Sequence, residues 1–440
     1  MFVDRERELE FLERKWREER AQLIIVYGRR RVGKTMLLRE FLRDKKGVYF
    51  LATADSMAEN VKGLAEKFSK LTGKGYFREV KDFGRLFIYL AEEIRNERVA
   101  IVIDEFQYLM GLEPGILSII QKVWDEHLRN TRAFLVLCGS SIGMMEKTLE
   151  YRSPLYGRRT GQWKVGPFDI KAMRRMLPNL NMEELVKVYA VFGGIPFYLD
   201  LIRGLSVEDA IRERVLRKGE VLYEEPEFLL REELREPKRY KLILKGLSLG
   251  YESLGELVNF TGIDRGNLSR YLETLERLGL VGYELSYGRR KRGRYYIRDN
   301  FFNFWFRFIY PNRGDLELGL VDEVWLRIER ELNAYYGQAF ERLVRDMLRR
   351  KLLNFGQRRV ARWWHRGQEI DAILELEDGL LFVEVKWKDL KRKEAEKVLG
   401  ELKRKAEGFE GNKRYLLVAR RIEGKGENML DLRDLEDLVR

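Results

Sequence analysis

Gly28-Arg29-Arg30-Arg31-Val32-Gly33-Lys34-Thr35 carries the clearest chemistry in the chain, because it fits G-x-x-x-x-G-K-[ST] in full. The glycines let the backbone curl so that successive N–H groups face phosphates at the start of a helix. In such a loop the Lys34 ammonium reaches the β- and γ-phosphates of ATP, and the Thr35 hydroxyl reaches Mg2+. Arg29, Arg30, Arg31, Val32 and Met36 complete the expected nucleotide-binding stretch. A chance Gly-Lys loop is the alternative, and the position between an apolar run and a helical segment argues against it.

A second group sits downstream. Val99-Ala100-Ile101-Val102-Ile103 runs straight into Asp104-Glu105. An apolar strand ending in paired carboxylates suits Mg2+ held through water by Asp104, with Glu105 orienting or polarising the attacking water. A solvated acidic turn after a strand would read the same way.

A third group lies near the C-terminus. Glu341 falls on a helical segment, Gly367-Gln368-Glu369-Ile370-Asp371 enters a strand, and Val383-Glu384-Val385-Lys386 ends the next one. Residues two apart on a strand face the same side, so Glu384 and Lys386 point into one site. This order resembles the PD-(D/E)XK nuclease superfamily. The resemblance implies that Asp371 and Glu384 bind Mg2+ and that Lys386 activates water or stabilises the pentavalent phosphate. Glu341 would complete the metal shell, with Gln368 or Glu369 assisting. E-x-K alone is a weak motif, and cleavage is a separate matter from the fold.

The elements that must position these groups follow from periodicity. Short apolar runs at Leu23–Tyr27, Val48–Leu51, Val99–Ile103 and Phe134–Cys138 alternate with helical segments such as Lys34 to about Leu42. Buried parallel strands separated by helices predict a three-layer α/β sheet over residues 1–180. Residues 181–237 read as a helical lid. Helices at Tyr240–Leu247, Leu254–Phe260 and Asn267–Leu278, then strands Val281–Ser286 and Arg294–Arg298, give the order of a winged helix-turn-helix over 238–300. The aromatic segment 301–334, with Phe301-Phe302-Asn303-Phe304-Trp305-Phe306, is expected to pack two domains together. Residues 335–440 read helix, strand, strand, helix, strand.

Phe2-Val3-Asp4-Arg5-Glu6, the Gly28–Thr35 loop and Ile101–Gln107 resemble the archaeal P-loop ATPase family related to AAA+ and STAND proteins. Tyr156-Gly157-Arg158-Arg159 and Gly193-Gly194-Ile195-Pro196-Phe197-Tyr198 resemble its later motifs. The resemblance spans nearly the whole chain and implies an ATPase core, a lid, a winged helix and a restriction-endonuclease-like end domain. It makes Ser140, after the strand Leu135–Cys138, a candidate γ-phosphate sensor, although small polar residues there are commonly turns. Arg158 or Arg159 becomes a candidate arginine finger, against a surface or phosphate-tail role.

Composition narrows the partners. The 440 residues carry 84 Lys and Arg against 71 Asp and Glu, a net charge of +13. This suits a polyanion such as DNA, or else the ion-pair networks of a thermophilic protein. Arg265, Asn267, Ser269 and Arg270 would line the recognition helix. Arg289, Arg290, Lys291, Arg292 and Arg294 would form a basic wing contacting mainly the phosphate backbone. Packing is the alternative role for both. Trp363-Trp364-His365-Arg366 could grip nucleic acid, with core packing the alternative for the tryptophans. One cysteine, Cys138, and two histidines, His127 and His365, leave no disulfide and little scope for zinc. The absence of a long apolar run or a leader-like start predicts a cytoplasmic chain without a membrane span. A homo-oligomer is compatible with these motifs.

Two functions fit. One is an ATP-hydrolysing enzyme that acts on DNA; the other is a STAND-like switch whose end domain binds a partner without cutting.

Overall fold

The computed structural model describes residues 3–439, so Phe2 of the opening motif lies outside them. The described chain forms two units that meet in sequence at Pro167/Phe168.

In the first unit the apolar runs become β1 (Gln22–Tyr27), β2 (Gly47–Leu51), β3 (Val99–Asp104), β4 (Ala133–Gly139) and a short β5 (Gly161–Lys164). All pair in parallel, in the order β2-β3-β4-β1-β5. β1, β3 and β4 are buried along their whole length, as strands covered by helices on both faces must be. The helix Lys34–Leu42 begins at the end of the glycine loop, and its Leu37, Leu38 and Phe41 face the core. β5 escaped the sequence reading because it is a four-residue edge strand that alternates between half-buried and exposed side chains.

The second unit begins with the helix Ile170–Met176. The Phe168 N–H just before it donates to the Gly194 carbonyl. Helices Pro237–Ser248, Leu254–Thr261 and Arg265–Arg277, followed by the antiparallel pair β6 (Val281–Glu284) and β7 (Arg294–Ile297), occur in the order of a winged helix. The aromatic segment joins the preceding helices to the long helix Val321–Arg349. Phe301 packs on Tyr198 at 5.0 Å, Trp305 Nε1 donates to the Tyr223 carbonyl, and Phe304 and Phe308 meet Tyr335. That helix starts well before Tyr335, because Val324, Trp325, Ile328 and Leu332 extend its buried stripe backwards.

A mixed sheet completes the unit: β8 (Arg359–His365), β9 (Gln368–Glu375), β10 (Leu380–Lys391), β11 (Lys413–Glu423) and β12 (Met429–Leu430). Its order is β12-β11-β10-β9-β8. β8, β9 and β10 pair antiparallel, while β10, β11 and β12 pair in parallel. The helix Arg392–Lys405 buries Ala395, Leu399 and Leu402 against Ile373 and Phe382. Among the described residues no helix is long and apolar enough to cross a membrane.

Candidate functional site

The glycine loop is shaped by steric limits. Gly28 has φ +157°, and a Cβ there would lie 2.3 Å from the Val165 carbonyl oxygen. Gly33 has φ +91°, the left-handed region that a side chain strains. Arg5, from the opening motif, braces the loop from outside: its guanidinium donates to the carbonyls of Val32 (2.8 Å) and Gly166 (2.7 Å). The buried Lys34 ammonium donates to the Gly28 and Arg29 carbonyls at 2.8 and 3.0 Å. Burial pulls its pKa down, with Asp104 and Glu105 among the charges opposing that shift. Arg30 reaches the Tyr108 hydroxyl, Arg31 adopts a positive φ, Val32 is buried, and Met36 is half exposed.

The loop meets the acidic strand directly. Thr35 Oγ1 donates to Asp104 Oδ2 at 2.7 Å. A hydroxyl beside a carboxylate is a hard-oxygen pair that suits Mg2+. Tyr49, on neighbouring β2, also donates to Asp104 Oδ2, at 2.5 Å. Burial alone would raise the Asp104 pKa, but the hydrogen bonds from Tyr49, Cys138 and Thr35 outweigh it and hold the acid below its usual range. No local spacing announced Tyr49; its only signal was a phenol hydroxyl in the middle of an apolar strand.

Glu105 follows with φ +54°, a strained value for a side-chain-bearing residue. Its carboxylate accepts from Ser140 Oγ at 2.6 Å and from the Gln107 amide. Gln107 also donates to Ser140 Oγ, and the Ser140 N–H donates back to Gln107. Ser140 therefore reaches the nucleotide site through Glu105. Arg158 is placed otherwise: its guanidinium grips Asp125 at 2.8 Å and the Pro154 carbonyl. Arg159 donates to the Leu149 carbonyl and lies over the Tyr156 ring.

In the second unit the third group of residues converges. Asp371 and Glu384 are 7% and 6% exposed. Asp371 Oδ2 accepts the Val385 N–H at 2.8 Å, and Arg345 of the long helix donates to the Asp371 carbonyl. Lys386 donates to Glu384 Oε1 at 2.7 Å. Lys405, which the motif did not include, donates to both Glu384 oxygens at 3.0 and 3.2 Å. Burial, then the Glu384 charge, raises the Asp371 pKa. Burial, then Asp371, pushes Glu341 up to about 7. Asp371 and Glu384 together form a carboxylate donor pair of the kind that suits a hard divalent cation. Among the described residues no group of three or more acidic, His or Cys side chains is placed to hold a metal ion, while the Asp371 charge still acts on Glu341.

Glu369 is committed elsewhere. It accepts from Arg294 at 2.6 Å and from Arg362, and although burial opposes them these partners hold its pKa low. Trp364 lies under Arg294 at 4.7 Å and near Arg362 at 5.9 Å. Trp363 packs on Phe409 in the core. Arg294 is thus an anchor between β7 and β8, and the expected five-cation wing is reduced to four. The Ser286 hydroxyl and the Trp364 backbone, and the Tyr287 N–H with the Arg362 carbonyl, fasten the same seam. Arg289, Arg290, Lys291 and Arg292 remain exposed and form no ion pair among the described residues. On the expected recognition helix, Asn267 and Ser269 bond to Asp264 and the Arg265 carbonyl, while Arg265 and Arg270 stay exposed.

Comparison with known proteins places the chain among archaeal ATPases. Residues 2–202 match a family described as an ATPase domain predominantly from Archaea. Residues 305–398 match one described as archaeal and bacterial proteins of unknown function. An uncharacterized protein of Methanocaldococcus jannaschii is 37% identical over 99% of this chain and 100% of its own length. An uncharacterized ATP-binding protein of the same organism is 72% identical over 46 residues, covering 10% of this chain and 78% of that one. A Walker-type ATPase of Pyrococcus abyssi superposes with a TM-score of 0.49 at 25% identity, over 70% of this chain and 96% of the other.

Proposed function

We propose a function from one premise: the chain belongs to the family built on the archaeal ATPase domain. On that premise it binds ATP with Mg2+ and hydrolyses it, and it acts on DNA through the wing and the carboxylate–lysine site. The observation that carries the nucleotide reading is the 2.7 Å contact between Thr35 and Asp104, which joins the phosphate loop to the acidic strand. Thr35 and Asp104 would hold Mg2+, which supplies charge neutralisation at the phosphates. Lys34 exchanges the Gly28 and Arg29 carbonyls for phosphate oxygens. Glu105, once turned from Ser140 and Gln107, orients the attacking water, and Ser140 is then free to meet the γ-phosphate.

At the second site Asp371 and Glu384 would hold Mg2+, with Glu341 in support, and Lys386 assists attack on a DNA phosphodiester. The four wing cations contact backbone phosphates. One observation favours a second reading, a STAND-like switch that binds without cutting: Glu384 is already neutralised by two lysines. Incubation of the protein with plasmid and oligonucleotide DNA, Mg2+ or Mn2+, with and without ATP, separates the two. Cleavage that disappears in Lys386→Ala supports the nuclease; intact DNA alongside ATP turnover gives the switch the lead.

A further inference from the structure

Glu384 is met by ammonium groups from two elements. Lys386 belongs to the same strand and donates only to Oε1. Lys405 comes from the last turn of the helix Arg392–Lys405 and covers both oxygens, at 3.0 and 3.2 Å. Three cations end that helix, where the helix dipole favours positive charge, so placement alone would explain little. The three differ in what they touch. Lys403 lies over the Tyr415 ring and Arg404 is exposed, whereas Lys405 reaches inward to the buried Glu384 carboxylate.

A lysine clamped across both oxygens occupies the electron pairs that a hard divalent cation needs. Its own side chain is 26% exposed on a flexible four-carbon stem, so it can withdraw without disturbing the helix. An ammonium donates to a phosphate oxygen as readily as to a carboxylate oxygen, because it is a point charge with rotatable donors.

We propose that Lys405 is a second lysine of this site: it is the internal counter-ion of Glu384 and moves to a nucleic-acid phosphate oxygen when a divalent cation takes Glu384. This rests on the reading of Asp371 and Glu384 as a cation site. Cation and phosphate then enter together, since the ammonium displaced by one is the partner of the other.

The test is Mn2+ titration of the full chain without nucleotide, followed by electron paramagnetic resonance, for wild type, Lys405→Ala, Lys405→Gln and Asp371→Asn. Gln keeps most of the length of the lysine stem and guards against misfolding of the alanine variant. Removing the competing charge should tighten Mn2+ binding about tenfold in both Lys405 variants. The same variants should bind a short DNA duplex several-fold more weakly in the presence of Mn2+. Loss of Mn2+ binding in Asp371→Asn assigns the signal to this site. Mn2+ binding that depends on Asp371 but is unchanged or weaker without Lys405 overturns the counter-ion role and leaves the cation site standing. If neither wild type nor the Lys405 variants bind Mn2+, both fall.

Discussion

Lys34 spends its hydrogen bonds on its own loop, at the Gly28 and Arg29 carbonyls, so phosphate oxygens need only replace partners already in range. Lys34→Ala should weaken ATP binding at least about a hundredfold, a charge-assisted contact to a triphosphate being worth several kcal/mol in a buried site. Unchanged affinity for a fluorescent ATP analogue would remove the loop from nucleotide binding. Glu105→Gln should leave that affinity nearly intact and lower turnover about a hundredfold or more, and full turnover would clear Glu105 of any catalytic part. Glu341 offers a test by pH. Its folded pKa of about 7 lies above the ordinary 4.5, so the folded state holds the extra proton. Its stability contribution is complete below the ordinary value and is lost as pH rises through about 7. Facing Asp371, Arg345, Arg362 and Lys386, it should make the protein in EDTA less stable at about pH 8 than at about pH 5, by on the order of 2 kcal/mol. Glu341→Gln should flatten that slope; chemical denaturation giving equal slopes would place the pH dependence elsewhere.

The wing is where an element's role departs from its sequence. Five cations on a basic turn looked equivalent, but only four of them face solvent. Arg294 is held by Glu369 of β9 and the Trp364 ring of β8. Replacing Arg289–Arg292 by Ala should weaken DNA binding and reduce its salt slope by up to about 0.9 for each phosphate left without its cation. Arg294→Ala should lower stability with little change in that slope. Equal slopes for wild type and the four-cation variant would mean that DNA, if bound, lies elsewhere. β5 and β8 escaped a periodicity reading because both are edge strands with few fully buried side chains and no unbroken apolar run. The buried central strands were legible because apolar residues on both faces leave an unbroken run.

For the whole molecule, the enzyme reading expects ATP turnover to rise about tenfold or more when duplex DNA is added, a range set by coupling free energies between sites. Slow turnover indifferent to DNA would favour the switch. The sequence by itself determined whatever depends on contiguous spacing: the Gly28–Thr35 loop, the carboxylates Asp104 and Glu105 at a strand end, and Glu384 with Lys386 two apart. Their geometry is local, set by a loop, a strand end and a two-residue repeat. Tertiary structure alone decided who touches them. Tyr49 on Asp104, Ser140 on Glu105, Arg5 on the Val32 carbonyl, Asp125 on Arg158 and Lys405 on Glu384 come from distant parts of the chain. Tyr49, Asp125 and Lys405 are ordinary residue types with no distinctive spacing, and the motifs that hold Arg5 and Ser140 do not name their partners. Only sheet pairing and helix packing bring their side chains within the roughly 3 Å that a hydrogen bond requires.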